Sequence, residues 1–315
     1  MSPAAAIQSE IALVYATVIM AVLAGAGLLL LALSFLLHRD VGGVWRTYRG
    51  WLFIVPTVLI ALYAGRIATI VGVAILALFA FKEFARATGL YRDWWMTGAV
   101  YIGIAAVAAS SLVIDPRLGV PGWYGLFMTL PVYVVSLILI VPIARNRTKG
   151  QLQSTALAVL GFVYLGWMLS HVGFLANSAN AYGYLLFLLL AVEANDVAAF
   201  TAGKLFGKRK LREQISPNKT LGGSLGAVAV SMVLPWLLWF SFPHFGPVQL
   251  VLTGLIVGIG GQLGDLAISV VKRDLGVKDM GALIPGHGGL LDRIDSLIFT
   301  GPLFFHMVRW FYDLY

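Results

Sequence analysis

"SVVKRDLGVKDMGALIPGHGGLLDRID", residues 269–295, decides how the rest of the chain is read. It packs four acids (Asp274, Asp279, Asp292 and Asp295), four bases (Lys272, Arg273, Lys278 and Arg293) and His287 between two apolar runs. A fifth acid, Asp265, sits four residues upstream, within the first of those runs. The surroundings make this density unusual. Of 315 residues, 60% are hydrophobic and 11% charged, with a mean hydropathy of +0.89, where a soluble domain carries about 25% charged residues. Lipid is therefore the main solvent of this chain, and charge placed in it needs a reason.

Working outward, a bilayer core of ~30 Å calls for roughly 20 apolar residues in helix. Clear runs of that kind are 11–37, 96–113, 124–144, 154–175, 223–240, 248–271 and 294–310. The stretch 51–80 is broken at "YAGR" (63–66) and reads as two short helices. The run 182–206 is long enough to cross but carries Glu193 and Asp196 in its middle. The sequence thus predicts an all-α, polytopic helical integral membrane protein with about ten transmembrane helices. It forms a single membrane domain over 1–315, with undiagnostic helices in 1–181 and the charge-bearing helices and loops in 182–315. The first residues, MSPAAAIQSE, lack the positive region of a signal peptide, so the first apolar run is expected to stay as a helix.

The basic residues test that layout independently. With the N-terminus outside, the inner loops are 38–50, 82–95, 145–153, 207–222 and 272–293. Together with Lys204 they hold 19 of the 22 Lys and Arg residues, leaving Arg66, Arg117 and Arg309 on the other side. That is the bias of the positive-inside rule, and it puts the opening stretch in the cytoplasm. The formal charge of +8 then points to anionic lipid or a polyphosphate ligand, and away from nucleic acid. The absence of cysteine excludes disulfides and thiolate metal sites.

Three features carry chemistry. Glu193 and Asp196, three residues apart, share a helix face, and Asp265, Ser269 and Lys272 stack on another. Carboxylates at that depth are costly unless paired or metal-bound, which makes them functional candidates, with a structural ion pair as the competing reading. Secondly, "GKLFGKRKLREQISPNKT" gathers bases, most simply as a loop drawn to headgroups. Within it Ser216 and Lys219 precede "TLGGSLG", a helix start that offers backbone N–H groups to an anion. Thirdly, the opening stretch combines bases suited to phosphates with the hard oxygen donors Mg²⁺ prefers, and "PGHGG" lets the backbone turn sharply. The combination suggests Mg²⁺–polyphosphate chemistry on a lipid. A salt-bridged loop is the bland alternative.

These residues resemble the signature of the phosphatidate cytidylyltransferases. The pattern Ser-x-apolar-Lys-Arg, then Lys-Asp, then His-Gly-Gly-apolar-x-Asp-Arg-apolar-Asp is met at each fixed position between Ser269 and Asp295. The resemblance runs back through "GQLGDL" and "SPNKT" to "ANDVAAF"; upstream of Tyr182 only the hydropathy is similar. Two positions depart from the family's Ser-Pro-Lys-Lys-Thr-x-Glu-Gly: Asn218 stands for a lysine and Gly222 for the glutamate.

The resemblance implies transfer of a cytidylyl group from CTP to phosphatidate, giving CDP-diacylglycerol and pyrophosphate, at the cytoplasmic face of what is expected to be a bacterial inner membrane. It implies Mg²⁺ held by Asp265 and Asp292, with a second cation left open, and catalytic roles for Asp265, Asp292, Lys272 and Arg273. Substrate contacts are expected from Ser216, Lys219, Lys278, His287, Arg293, Glu193 and Asp196. Glu193 and Asp196 are expected to stand in for the missing glutamate, with Gly222→Glu rescuing part of the loss in a Glu193 variant. Partners are CTP, phosphatidate or a related lipid phosphate, and membrane lipids, with homodimerisation open. A CTP-dependent transferase for another lipid phosphate and a membrane transporter are the rival readings.

Overall fold

The computed structural model describes residues 1–35, 38, 42–281 and 288–313. After a short α1 (Pro3–Gln8) come α2 (Glu10–Phe35), α3 (Gly42–Tyr63), α4 (Arg66–Ala87), α5 (Trp94–Leu112) and α6 (Tyr124–Ala144). A continuous stretch follows, with α7 (Gln151–Leu160) and α8 (Leu169–Phe174) joined by a π-helical segment, Gly161–Met168. Next is α9 (Ala181–Phe206), then the strands β1 (Lys210–Arg212) and β2 (Ser216–Thr220), and α10 (Leu221–Leu237). The last helices are α11 (Pro247–Leu255), α12 (Gly261–Asp274), continuous with α11 through a second π-helical segment at Ile256–Gly260, and α13 (Leu291–Phe311).

Among the described residues, seven helical stretches are long and apolar enough to cross a membrane. The expected count of about ten is therefore too high by that measure, for readable reasons. In α3 the first turns hold Arg46 and Arg49, α10 has only 17 residues, and α13 carries Asp292, Arg293, Asp295 and Arg309. The expected break at 63–66 falls at Ala64–Gly65, where Gly65 has a φ of 104°. A Cβ there would also lie 3.3 Å from the Met1 carbonyl oxygen. The helices on either side are longer than expected, at 22 residues each. The fold is also not purely α. The 207–222 loop folds into an antiparallel ribbon pairing Lys210 with Thr220 and Arg212 with Ser216, strands too short to leave an alternating pattern in sequence.

Outward faces are as greasy as the interior. On α6, Val132, Tyr133 and Ile140 are exposed while Phe127, Val134 and Ile138 are buried, as expected of helices solvated by lipid. Since lipid removes the hydrophobic drive for helices to associate, close backbone packing through small residues has to supply it. The C-terminal half is built that way. A Cβ on Gly226 of α10 would meet that of Ala202 on α9, and one on Gly258 would lie 3.1 Å from the Val228 Cα.

The two ends of the bundle are each knitted by their own contacts. At one end the Tyr182 hydroxyl donates to the Ser2 carbonyl, Tyr15 hydrogen-bonds Ser241, and the Tyr312 hydroxyl donates to the His244 carbonyl. Arg66 there donates to Asn177 and to the Ser111 and Leu112 carbonyls. At the opposite end Arg145 grips both oxygens of Asp93 at 2.7 Å, Glu83 reaches Leu290 and Leu291, and Arg273 donates to the Ile215 carbonyl. Four of the five loops that the basic residues group together, 82–95, 145–153, 207–222 and 272–293, are thus linked to one another in space.

Candidate active site

The site begins with α12, whose polar residues fall on one face. About two turns from its end, Asp265 is paired with Lys219 at 2.5 Å and accepts a hydrogen bond from the Ser269 hydroxyl at 3.2 Å. Two turns further on, the Lys272 ammonium reaches Asp292 at 2.7 Å, and the other Asp292 oxygen accepts the Met280 backbone N–H at 3.0 Å. Both members of the Lys272–Asp292 pair are nearly enclosed, with side chains 11% and 8% exposed. These two ion pairs order the centre. Each joins separate elements, β2 to α12 and α12 to α13.

Lys219 owes its position to the ribbon. Strand β2 runs straight into α10, and the Thr220 hydroxyl caps that helix by accepting the Gly223 N–H at 3.1 Å. One of the N–H groups expected to be open to an anion is thus already used. The absence of the family glutamate at Gly222 has a steric reason: a Cβ there would sit 2.7 Å from the Phe206 carbonyl oxygen, at the end of α9. The partial rescue expected of Gly222→Glu is not available in this packing.

A wider ring of charge surrounds the two pairs. Asp295, only 6% exposed, accepts the Ser296 N–H at 2.7 Å and interacts electrostatically with Asp265, Asp196 and Lys272. Glu193, half-buried on α9, feels Asp196 and Arg293. Asp196, on the open flank of the same helix, feels Asp265, Lys219 and Arg293. Five carboxylates face three cations in this network, which leaves a formal excess of two negative charges.

Of the other expected residues, Arg273 lies exposed at the rim, donating to the Ile215 and Val277 carbonyls. Ser216 starts β2 beside that contact. Lys278 is exposed after the turn at Gly276, and His287 lies outside the described residues. Asn218 is exposed on β2 next to Lys219.

Near this centre one residue escaped the sequence reading, and so did the setting of another. Tyr164 belongs to the π-helical segment after α7, and its hydroxyl is buried with no hydrogen-bond partner among the described residues, within electrostatic reach of Asp295 and Asp265. π-Helical turns recur at functional sites, but nothing in the residues 161–168 marks one. Asp295 was visible as an acid of the signature, yet its depth and its facing of Asp265 come only from the packing of α13 on α12. There a Cβ on Gly264 would strike the Asp295 carbonyl oxygen at 2.4 Å.

No group of three or more His, Asp or Glu among the described residues is arranged to hold a metal by itself. Mg²⁺ does not ask for one, since it is usually held by one or two carboxylates with substrate phosphates and water. The hard-oxygen donors fit a divalent cation of that kind.

Comparison with known proteins gives the family of this chain. Over 278 residues the chain is 31% identical to the uncharacterized protein YnbB of Escherichia coli, covering 87% of this chain and 90% of that protein. It is 34% identical over 202 residues to the phosphatidate cytidylyltransferase of Staphylococcus haemolyticus, covering 64% of this chain and 76% of the relative. For the phosphatidate cytidylyltransferase of Staphylococcus aureus the identity is 31% over 245 residues, covering 77% and 90%. Residues 44–311 match the cytidylyltransferase family, a span that takes in Glu193, Lys219, both ion pairs and Asp295, and the chain belongs to that family.

Proposed function

We propose that this protein transfers the cytidylyl group of CTP to phosphatidate at the cytoplasmic membrane surface, releasing pyrophosphate and leaving CDP-diacylglycerol in the bilayer. The observation that carries this reading is the pairing of two lysines from separate elements, Lys219 and Lys272, with two carboxylates at the end of the bundle. A triphosphate entering there competes with Asp265 and Asp292 for those lysines, and the exchange of partners binds the nucleotide while freeing carboxylate oxygens.

The lipid phosphate is its own nucleophile. Its second pKa near ~6 leaves it largely dianionic at neutral pH, so one of its oxygens attacks the α-phosphorus without a general base. The bond from that phosphorus to the bridging oxygen breaks, and pyrophosphate departs with the electron pair. No protein nucleophile is needed, and catalysis rests on position and charge. Lys219, Lys272 and Arg293 offset the growing charge of the leaving group, with Arg273 and Lys278 at the rim where pyrophosphate leaves. Asp265, Asp292 and Asp295 would hold Mg²⁺ with the triphosphate oxygens, and the ion, when bound, supplies charge neutralisation across those phosphates. Glu193 and Asp196, toward the open flank, border the way in for the lipid headgroup.

The test is an assay of purified protein with labelled CTP, Mg²⁺ and a panel of lipid phosphates. Labelled CDP-diacylglycerol from phosphatidate is the expected product. Turnover only with a different lipid phosphate, such as a polyprenyl phosphate, selects the rival substrate. No turnover with any of them overturns the transferase reading.

A further inference from the structure

We infer that Glu83, on α4 in the half of the chain that the family signature does not reach, is a positioning residue for the proposed transferase. Its carboxylate accepts the Leu290 N–H on one oxygen at 3.1 Å and the Leu291 N–H on the other at 2.9 Å. Leu290 is the N-cap residue of α13 and supplies no side-chain cap of its own. Glu83 therefore caps this helix from another element, and a carboxylate at a helix N-terminus is favoured by both charge-assisted hydrogen bonding and the helix dipole.

The same carboxylate lies close to two glycines that precede α13. A Cβ on Gly281 would lie 2.5 Å from one Glu83 oxygen, and one on Gly289 would lie 3.0 Å from the other. A Cβ on Gly289 would also lie 2.8 Å from the Gly281 nitrogen and 2.9 Å from an Asp292 oxygen. Glu83 thus lies against both Gly281 and Gly289 and stands one glycine away from Asp292. The backbone contact at 289 leaves no room for a Cβ there, which gives that glycine of the signature a steric role beside this side chain.

The consequence follows from helix geometry. Asp292 and Asp295 occupy the first turn and a half of α13, where nothing in the helix's own hydrogen bonding fixes the chain entering it. Glu83 fixes that entry, and so sets how Asp292 meets Lys272 and how Asp295 faces Asp265. This role rests on the transferase reading for its effect on turnover, but the clamp itself does not.

The experiment therefore has two arms on the full-length protein. In the first, hydrogen–deuterium exchange is followed at the Leu290 and Leu291 amides in wild type, Glu83→Ala and the near-isosteric Glu83→Gln, which presents an NH₂ group to one of the two donors. Exchange at both amides is expected to quicken by about tenfold or more, as for loss of a charge-assisted hydrogen bond. Unchanged exchange overturns the clamp, whatever the activity. In the second, turnover is expected to fall about tenfold or more in both variants with the KM for CTP within about twofold, as for a group that orders the reacting geometry without touching substrate. Glu83→Asp, which keeps both oxygens, is expected to recover part of the loss. Faster exchange with unchanged turnover overturns the positioning role. A wild type inactive on every lipid phosphate defeats the proposed function instead, and the exchange arm still decides the clamp.

Discussion

Replacing Gly264 with alanine tests whether the spacing of α12 and α13 sets the geometry of the site. The new methyl carbon would start 2.4 Å from the Asp295 carbonyl oxygen, 2.9 Å from the Ser296 Cα and 3.0 Å from the Phe299 Cβ. The two closest atoms are backbone, so no side chain can swing away. Reaching ordinary contact at 3.4 Å needs a separation of 3.4 − 2.4 = 1.0 Å between the helices, one of which carries Asp265 and the other Asp292 and Asp295. Overpacking of this kind costs roughly 1–3 kcal/mol, which leaves a protein that inserts and folds. A displacement of ~1 Å in a reacting site can cost about 10²-fold in rate. The assay compares turnover and thermal midpoint in detergent for Gly264→Ala and for Gly98→Ala, a helix-interior glycine of α5 where a Cβ would meet no other part of the described residues within 4 Å. The Gly98 variant is expected to keep full turnover. Gly264→Ala within about threefold of wild type, where a loss near 10²-fold is expected, refutes the idea that this contact fixes the carboxylates.

Activity is expected to require Mg²⁺ or Mn²⁺, and Asp265→Asn and Asp292→Asn are each expected to lower it by on the order of 10²-fold. Near-normal turnover in both removes them from the metal site. Reporter fusions after Arg147 or Arg209 are expected to read cytoplasmic and those after Ser178 or Pro243 external, and a cytoplasmic reading at Ser178 breaks the assigned alternation. The Asp93–Arg145 pair gives a pH signature. Burial raises the Asp93 carboxyl, but the Arg145 hydrogen bond and charge and the Met96 and Trp95 N–H groups outweigh it and hold the carboxyl below its ordinary value. Its stabilisation is therefore complete above the unfolded-state carboxylate value and is lost as pH falls through the lower native one. Asp93→Asn, which keeps a helix cap, is expected to cost on the order of 1 kcal/mol or less at pH 7. The gap to wild type should close in acid, and a pH-independent gap rules the charge out as its source.

What could be read in the sequence was whatever a single helix or loop carries by itself. The long apolar runs, the break at Gly65 and the grouping of bases on alternate loops needed no partner to be visible. The acids Glu193, Asp196 and Asp265 stood out because a carboxylate in an apolar run is conspicuous on its own. Pairing was another matter. Nothing in "SPNKT" says that Lys219 meets Asp265, or that Lys272 bonds Asp292 across 20 residues of chain, because helices that are apolar all round leave no sign of which face meets which neighbour. Glu83 and Tyr164 were missed for the same cause, each acting on a distant element. The ribbon around Lys210 and Ser216 is held by backbone pairing, which side-chain pattern does not encode in strands so short.

The separation of the two ends of the bundle bears on the voltage across the membrane. The end holding Ser2, Arg66, Asn177 and His244 takes Glu10, Asp115 and Asp313 among the acids and Arg66, Arg117 and Arg309 among the bases, so its formal charges cancel. The whole +8 of the chain resides in the rest of the molecule. Moving one elementary charge through a potential of 100 mV is worth about 2.3 kcal/mol. Inserting the neutral end first carries no net charge through the field, whereas the inverted orientation transports eight, at roughly 18 kcal/mol for the same potential. In an energised membrane, negative on its inner face, that difference favours the orientation that keeps the lysine–carboxylate pairs inside.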